Sequence, residues 1–408
     1  MPPQNWLHQA LDRLLPPTAE RLSAQLLRLM REAGAEVLAH DVAREQLRIR
    51  VDGSEQSVSL ANVLREAPLA ARPDRPAVLA RFVRGLLSSG RSPWPTAWAQ
   101  AQTQLLPVVR HRFDAEQNAL ALSVNPNTAA APPMAHRLLA GDWSVGLVLD
   151  QPDTMVRLNT EHLEKWGVGF EAALQAALHH LRGLPEHGGW RPLAPGLWSG
   201  EWGDSYESSR LLLPDLIHRL GLPEPVVMAP VRNSLLVCSA RDEAALAQLA
   251  HWAQRRAEES PRWVSLRAMR LTDAGWAPFE PPPACSEAFA TLLTLDAASA
   301  HNAQCDDLQQ WHEARQDEVF VAKVVVFRPE GGGPARTLAV WSRGVDTLLP
   351  EADFIALNPQ PDIKGSHQLL PWAAARAAFP DYFEASPWQP PRWRLRRFPS
   401  DAERAVLP

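Results

Sequence analysis

Apolar positions along the N-terminal stretch keep two rhythms. In "TAERLSAQLLRLMREAG" Leu22, Leu26, Leu29 and Met30 fall on one helical face, with Thr18 placed to cap the start and Gly34 to stop the end. "EVLAHD", "LRIRVDG" and "QSVSL" then alternate, which predicts strands, and Asp52-Gly53 is the turn between the last two. "DRPAVLARFVRGLLSSG" returns to the helical period, with Pro76 in its first turn. "LLPVVRHRF" and "ALALSV" read as two further strands. The turn-rich "NPNTAAAPPMAH" follows as a linker.

Beyond it the pattern restarts. "WSVGLVLDQP" and "TMVRLN" read as paired strands, and "TEHLEKWG" and "FEAALQAALHHLRGL" as helices, the second with Phe170, Leu174, Leu178 and Leu181 on one face. "WRPLAP" and "LWSGEW" form a hairpin pattern. "PVVMAPV" and "SLLVCSA" are apolar enough for buried strands, ahead of the amphipathic "DEAALAQLAHWAQRRAEE". "APFEPPPA" reads as a stiff linker. Helices over 285–315 then lead into the strands "EVFVAKVVVF", "TLAVWS" and "DFIALN" and the tail "PWQPPRWRLRRFP". The expected fold is α+β: two or three mixed units with small, mainly antiparallel sheets flanked by helices. The expected division is 1–125, 126–270 and a C-terminal extension 271–408. No repeat of fixed period runs through the chain.

Length supports that division, because 408 residues exceed what one core usually holds. A net charge of −5 does not suit a dedicated polyanion binder, although a local basic patch is compatible with it. "MPPQNWLHQALDRLLPP" lacks the apolar run of a secretory signal, and no stretch approaches the length of a membrane span. Three widely spaced Cys make no disulfide framework. These features together predict a cytoplasmic protein without a membrane partner. The 16 Trp among 408 residues fit inter-domain packing or an exposed aromatic patch for a partner.

Several stretches, in order, resemble the bacterial YtpQ-like family, a domain-of-unknown-function family. They are "LRIRVDGSEQSVSLANVLREA", "RPAVLARFVRGLL", "LLPVVR", "WSVGLVLDQPDTMVRLNTEHLEKWGVGFEAALQAALHHLRGL", "GDSYESSRLLLPDL" and "PVVMAPVRNSLLVCSARDEAAL", over roughly residues 15–255. The resemblance implies a small-residue turn entering a helix at "SYESSRLLL". It also implies a following strand with Pro230, Arg232, Asn233 and Leu235 in the P-x-R-[DN]-x-L positions. It brings no activity, cofactor or partner, and it does not reach residues 271–408.

Candidate chemistry is sparse. "GDSYESS" has the Gly-Asp-Ser of an ester-hydrolase nucleophile block. That chemistry needs a strand running into Ser205 and a late Asp-x-x-His to deprotonate it. "LWSGEW" is a poor buried strand, and Asp362 stands five residues before His367 rather than three. Asp204 and Ser205 are therefore expected to be turn and N-cap residues. Cys285, His301, Cys305 and His312 have donor types that suit zinc, but no C-x-x-C clamp accompanies them, so no metal is expected. His179-His180 and the pair Asp150/Asp153 read as helix-surface and turn residues. Walker A and G-x-G-x-x-G patterns are missing, and "PEGGGP" reads as a hairpin loop.

The tail is sharper. If "RWRLRRF" is a strand, Arg392, Arg394 and Arg396 share one face and Trp393 and Leu395 the other. The expectation is a docked apolar face and an exposed Arg face that, with Trp388, binds a partner. The sequence thus predicts a non-catalytic adaptor or regulatory protein without cofactor, whose partner is another protein. The alternatives are an unrecognised enzyme, such as a hydrolase, and a nucleic-acid binder using the Arg/Trp segment.

Overall fold

The computed structural model describes residues 17–42, 45–51, 53–88, 94–126, 131–151, 155–185, 188–260, 263–360, 367–405 and 407. It begins with α1 (Ala19–Glu32), where Thr18 Oγ1 accepts from Arg21 N at 3.4 Å and Gly34 follows the helix at φ +90°. Leu22, Leu26 and Met30 are buried. Strands β1 (Glu36–Asp41), β2 (Gln46–Val51) and β3 (Ser54–Ser59) form an antiparallel meander, and Gly53 takes φ +82° in the tight turn before β3. Asp52 lies outside the described residues. Helices α2 (Ala61–Glu66) and α3 (Arg75–Ser88) complete this layer, whose core joins Leu26, Met30, Leu47, Ile49, Leu79 and Val83.

After α4 (Trp98–Ala101), β4 (Leu105–His111) opens a second sheet. Residues 114–123 form helix α5 (Asp114–Ser123), not the strand that "ALALSV" suggests. Leu120 and Leu122 would share one strand face. On the helix they diverge, so Leu120 is buried while Leu122 is 49% exposed. Ala and Leu are strong helix formers, and Asp114 and Glu116 suit a positive helix start.

Strands β5 (His136–Ala140), β6 (Trp143–Asp150) and β7 (Met155–Arg157) complete the sheet. β6 is central, pairing with β4 from Leu105↔Leu149 to His111↔Trp143 and with β5 and β7 on its other side. Hydrogen bonding therefore runs across residue 125, and the boundary expected there falls inside a sheet. Helices α6 (Thr160–Lys165) and α7 (Phe170–Gly183) cover one face, with Leu163, Leu174 and Ala177 against Leu105, Leu147 and Leu149.

The third sheet is formed by β8 (Gly189–Ala194), β9 (Leu197–Glu201), β10 (Pro225–Met228), β11 (Leu236–Ser239), β12 (Met269–Thr272) and β13 (Gly275–Pro278). Its order is β13-β12-β10-β11-β9-β8 and every pairing is antiparallel. Helix α8 (Pro214–His218) precedes β10, and α9 (Glu243–Glu258) packs Leu246, Leu249 and Ala253 on one face. Val226↔Arg270 pairing makes the sheet span the boundary expected at 270 as well.

Helices α10 (Ser286–Ala303) and α11 (Cys305–Glu313) meet at an elbow on Gln304 and lead to two four-stranded sheets. The strands are β14 (Phe320–Val321), β15 (Val325–Phe327), β16 (Arg336–Ser342), β17 (Thr347–Pro350), β18 (Phe354–Asn358), β19 (Gln368–Pro371), β20 (Glu384–Ala385) and β21 (Arg392–Leu395). Helix α12 (Trp372–Ala378) lies between β19 and β20, and α13 (Asp401–Ala405) follows β21. The sheet orders are β14-β17-β21-β20 and β15-β16-β18-β19; β14 with β17 and β16 with β18 are parallel, the remaining pairs antiparallel. "PEGGGP" is the β15–β16 hairpin loop. Buried Trp341 meets Phe379, Tyr382, Phe383 and Phe398 edge-on in the core. Fold class is thus α+β, and no helix among the described residues is long and apolar enough to cross a membrane.

Candidate functional site

The Gly-Asp-Ser stretch is a turn. Gly203 and Ser205 have φ +76° and +65°, and the Asp204 carboxylate accepts from Tyr206 N at 2.9 Å. It also takes Arg210 end-on, Nη1 at 2.9 Å and Nη2 at 2.5 Å, while Arg210 stacks 4.4 Å over Trp202. The 3-10 helix begins only at Ser208, preceded by Glu207, so Ser205 does not cap it as expected. Glu207 instead reaches back and accepts from Gly203 N at 2.8 Å. No strand delivers Ser205 to a sheet edge, Asp362 lies outside the described residues, and His367 is exposed. Ser205 occupies left-handed backbone, which favours glycine. Ser205→Gly should therefore leave stability unchanged or raise it by up to about 1 kcal/mol. A drop of the urea midpoint would contradict this account.

Two of the six stretches that carry the family resemblance meet here. Arg232 Nε donates to Ser205 O at 3.1 Å, and Ser208 N donates to Arg232 O at 3.2 Å. Burial and the nearby Asp150 carboxylate raise the pKa of the Tyr206 hydroxyl. Asp153 lies outside the described residues.

The tail departs from expectation in an instructive way. β21 forms, and Arg392 and Arg394 do share a face opposite Trp393 and Leu395. That face is not open, because α11 and the elbow cover its first half. Arg392 is 1% exposed. Its Nε donates to Gln304 Oε1, its Nη1 to Ala322 O at 2.7 Å and Leu348 O at 3.1 Å, and its Nη2 to His301 O at 2.9 Å and Cys305 Sγ at 3.1 Å. All five N–H groups are engaged without any carboxylate. Arg394 grips Asp317 at 2.7 and 2.8 Å and Asp346 at 2.7 Å. Arg394, followed by His312, holds the Asp317 carboxyl down at about 2. Arg396 is exposed, 3.0 Å from Glu384. Half-buried Trp388 packs edge-on against Trp311 at 5.1 Å, away from any Arg row.

An open cationic surface lies beside this strand. A groove of about 450 Å³ runs between the β16–β17 turn and residues 396–400, and Arg343, Arg396, Arg397, Asp346 and Ser400 line it. Arg343 pairs with exposed Asp401. Arg397 lies 3.9 Å over the Tyr382 ring, and among the described residues no carboxylate hydrogen-bonds it. The alternation pointed to this neighbourhood, but Arg343 carries no signal of it in the sequence.

The four Cys and His donors do not converge. Cys285 stands at the start of α10, donating to Glu243 O at 3.5 Å, a helix length away from His301. Burial, then Arg392, lowers the His301 imidazole to about 3. Cys305 Sγ contacts His301 O and Ala322 O, and His312 Nδ1 pairs with Asp317 at 2.9 Å. Among the described residues no group of three His, Cys, Asp or Glu is placed to hold a metal. Half-buried His180 has Nδ1 2.9 Å from Leu105 O, and His179 is exposed on the helix surface.

One cluster was invisible in the sequence. Buried Asp296 accepts from Leu266 N at 2.7 Å and Ser265 Oγ at 3.3 Å, with His111 Nε2 3.5 Å away. His111 Nδ1 accepts from Phe113 N, so the imidazole proton sits on Nε2 and faces Asp296. The Ser265 proton also goes to Asp296 rather than to the imidazole, so this arrangement cannot activate a serine. It ties β4, α10 and the 264–268 segment together.

Taken with its sheets, the chain is an α+β protein with a cationic surface groove and buried ionic knots. Comparisons with family models, with curated proteins and with solved structures find no match to it.

Proposed function

We propose that this chain is a non-catalytic binding protein whose partner is a carboxylate-rich segment of another protein, seated in the groove of Arg343, Arg396 and Arg397. The carrying observation is Arg397, held on Tyr382 in the groove wall with no carboxylate hydrogen-bonded to it among the described residues; Glu403, to which Tyr382 Oη donates, feels its charge without pairing with it. An Arg fork pre-set on an aromatic ring loses little entropy on taking a carboxylate. The pairs of Arg343 with Asp401 and Arg396 with Glu384 are exposed, so a partner's carboxylates can replace them at small cost. Kinship with the YtpQ-like family, and with it a bacterial cytoplasmic setting, belongs to the same reading. It is supported by the meeting of the "SYESS" turn with Arg232.

The test is fluorescence anisotropy with a labelled Glu/Asp-rich peptide, beside a single-stranded oligonucleotide. Arg343→Glu with Arg397→Glu should weaken peptide binding about tenfold or more, and wild-type binding should fall with salt. Equal peptide affinity in the folded double variant would overturn the proposal. Oligonucleotide binding alone would favour the nucleic-acid alternative.

A further inference from the structure

The side of the β4–β6 sheet beneath α5 carries a half-buried cation, Arg110, that no carboxylate hydrogen-bonds among the described residues. Arg110 on β4 stands opposite Ser144 on β6, Val108 opposite Gly146, and Gly146 opposite His136 on β5. Because side chains alternate along strands, these residues share one face. Gly146 leaves a gap there. A Cβ at that position would meet Ala135 O at 3.5 Å and Val108 Cγ2 at 3.8 Å, both ordinary contacts, so packing does not demand glycine. Glycine inside a central strand weakens it and marks places where something approaches the backbone closely. The gap is a cavity of about 10 Å³, lined by Arg110, Ser144, Gly146, His136, Arg157 and Asp114. That is room for about one water-sized particle.

The charges around it do not cancel. Asp114 is hydrogen-bonded by Arg157, which also reaches Asn118 at 3.5 Å. The hydrogen bond found for the Arg110 guanidinium among the described residues goes to the neutral carbonyl of Val109, at 3.0 Å. Burial, then Arg232 and Arg157, lower Arg110 to about 10 despite the help of Asp114. Ser144 spends its proton on the carbonyls of Arg110 and His111, so it adds no donor. Above the cavity, α5 starts at Phe113 without a side-chain cap, and its first backbone bond is Gln117 N to Phe113 O at 2.9 Å. Asp114 and Ala115 of that first turn are among the residues that line the cavity.

We propose that Arg110, with the uncapped first turn of α5, binds a single halide-sized anion over Gly146. Chloride fits the volume and supplies the missing negative charge. Sulfate and phosphate are too large. The site is independent of the groove in the C-terminal sheets.

The experiment places the full chain in sodium gluconate and adds chloride at constant ionic strength. Chloride-35 NMR should show excess line broadening that bromide removes and sulfate leaves. Thermal unfolding should rise by about one or two degrees, as expected for a ligand held by the native state alone. In folded Arg110→Gln the excess broadening and the thermal rise should both vanish. If that variant does not fold, Gly146→Ala decides, because its methyl narrows the floor with ordinary contacts only. Loss of broadening in folded Gly146→Ala supports the site. Full broadening in either folded variant means surface binding only and overturns the proposal. Absence of excess broadening in the wild type overturns it too, leaving a water in the cavity.

Discussion

Arg392→Met should cost the fold about 3–5 kcal/mol, the largest loss expected from any single Arg in the C-terminal sheets. A methionine fills similar volume, so the effect isolates the polar groups left behind. Gln304 Oε1 would lose its guanidinium donor in a water-free setting, the carbonyls of His301 and Ala322 would keep only weak thiol contacts from Cys305, and Leu348 O would keep only the bond from Ala322 N. Arg392→Lys should recover little, since a point ammonium with three donors cannot span five acceptors spread over α10, α11, β14 and β17. Arg396→Glu is the control. Its side chain is 57% exposed and its partners are surface carboxylates, so stability should change by less than about 1 kcal/mol. Urea unfolding followed by tryptophan fluorescence reads all three. An Arg392→Met loss below about 1 kcal/mol would show that the buried guanidinium contributes little beyond its volume.

Asp204→Ala should be the second severe change, at about 3 kcal/mol or more. Arg210 is 3% exposed and Asp204 accepts both of its end-on bonds, so the substitution strands a buried cation. Desolvation works against the Asp204 carboxylate, but the Arg210 hydrogen bonds and the Tyr206 N–H outweigh it and set its pKa below the ordinary range. In a double-mutant cycle, adding Arg210→Met to Asp204→Ala should return part of the loss, because the stranded charge goes with it. If the double variant is no more stable than Asp204→Ala, the cost lies in the turn itself rather than in the ion pair.

The α+β class was legible because local periodicity decides helix and strand within short windows. Thr18, the α1 stripe and the β21 alternation each appear where that logic puts them. What a window cannot show is which strands pair. β4 joins β6 across the turn-rich segment near residue 125, and β13, paired with β12 in the third sheet, runs into the start of the proline-rich stretch, so compositional breaks did not mark the sheets' edges. The Arg face of β21 was sorted correctly by period but assigned to solvent. Whether a strand face is open depends on what packs on it, and here that is an elbow about ninety residues earlier in the chain. Asp296 with His111 and Ser265, and Arg343 in the groove, assemble from separate stretches and leave no local trace.

Arg392 also imposes an order on assembly during synthesis. Every acceptor it serves, from His301 to Leu348, leaves the ribosome before it does. Until β21 is threaded beside β17, the elbow of α10 and α11 has hydrated carbonyls where the finished protein has a guanidinium. A nascent chain stopped before residue 392 would therefore present an unclosed, wettable seam between helix and sheet. Completion of the last sheet is thereby coupled to one late residue, and a chaperone or protease surveying unfinished chains would find that seam open until it arrives.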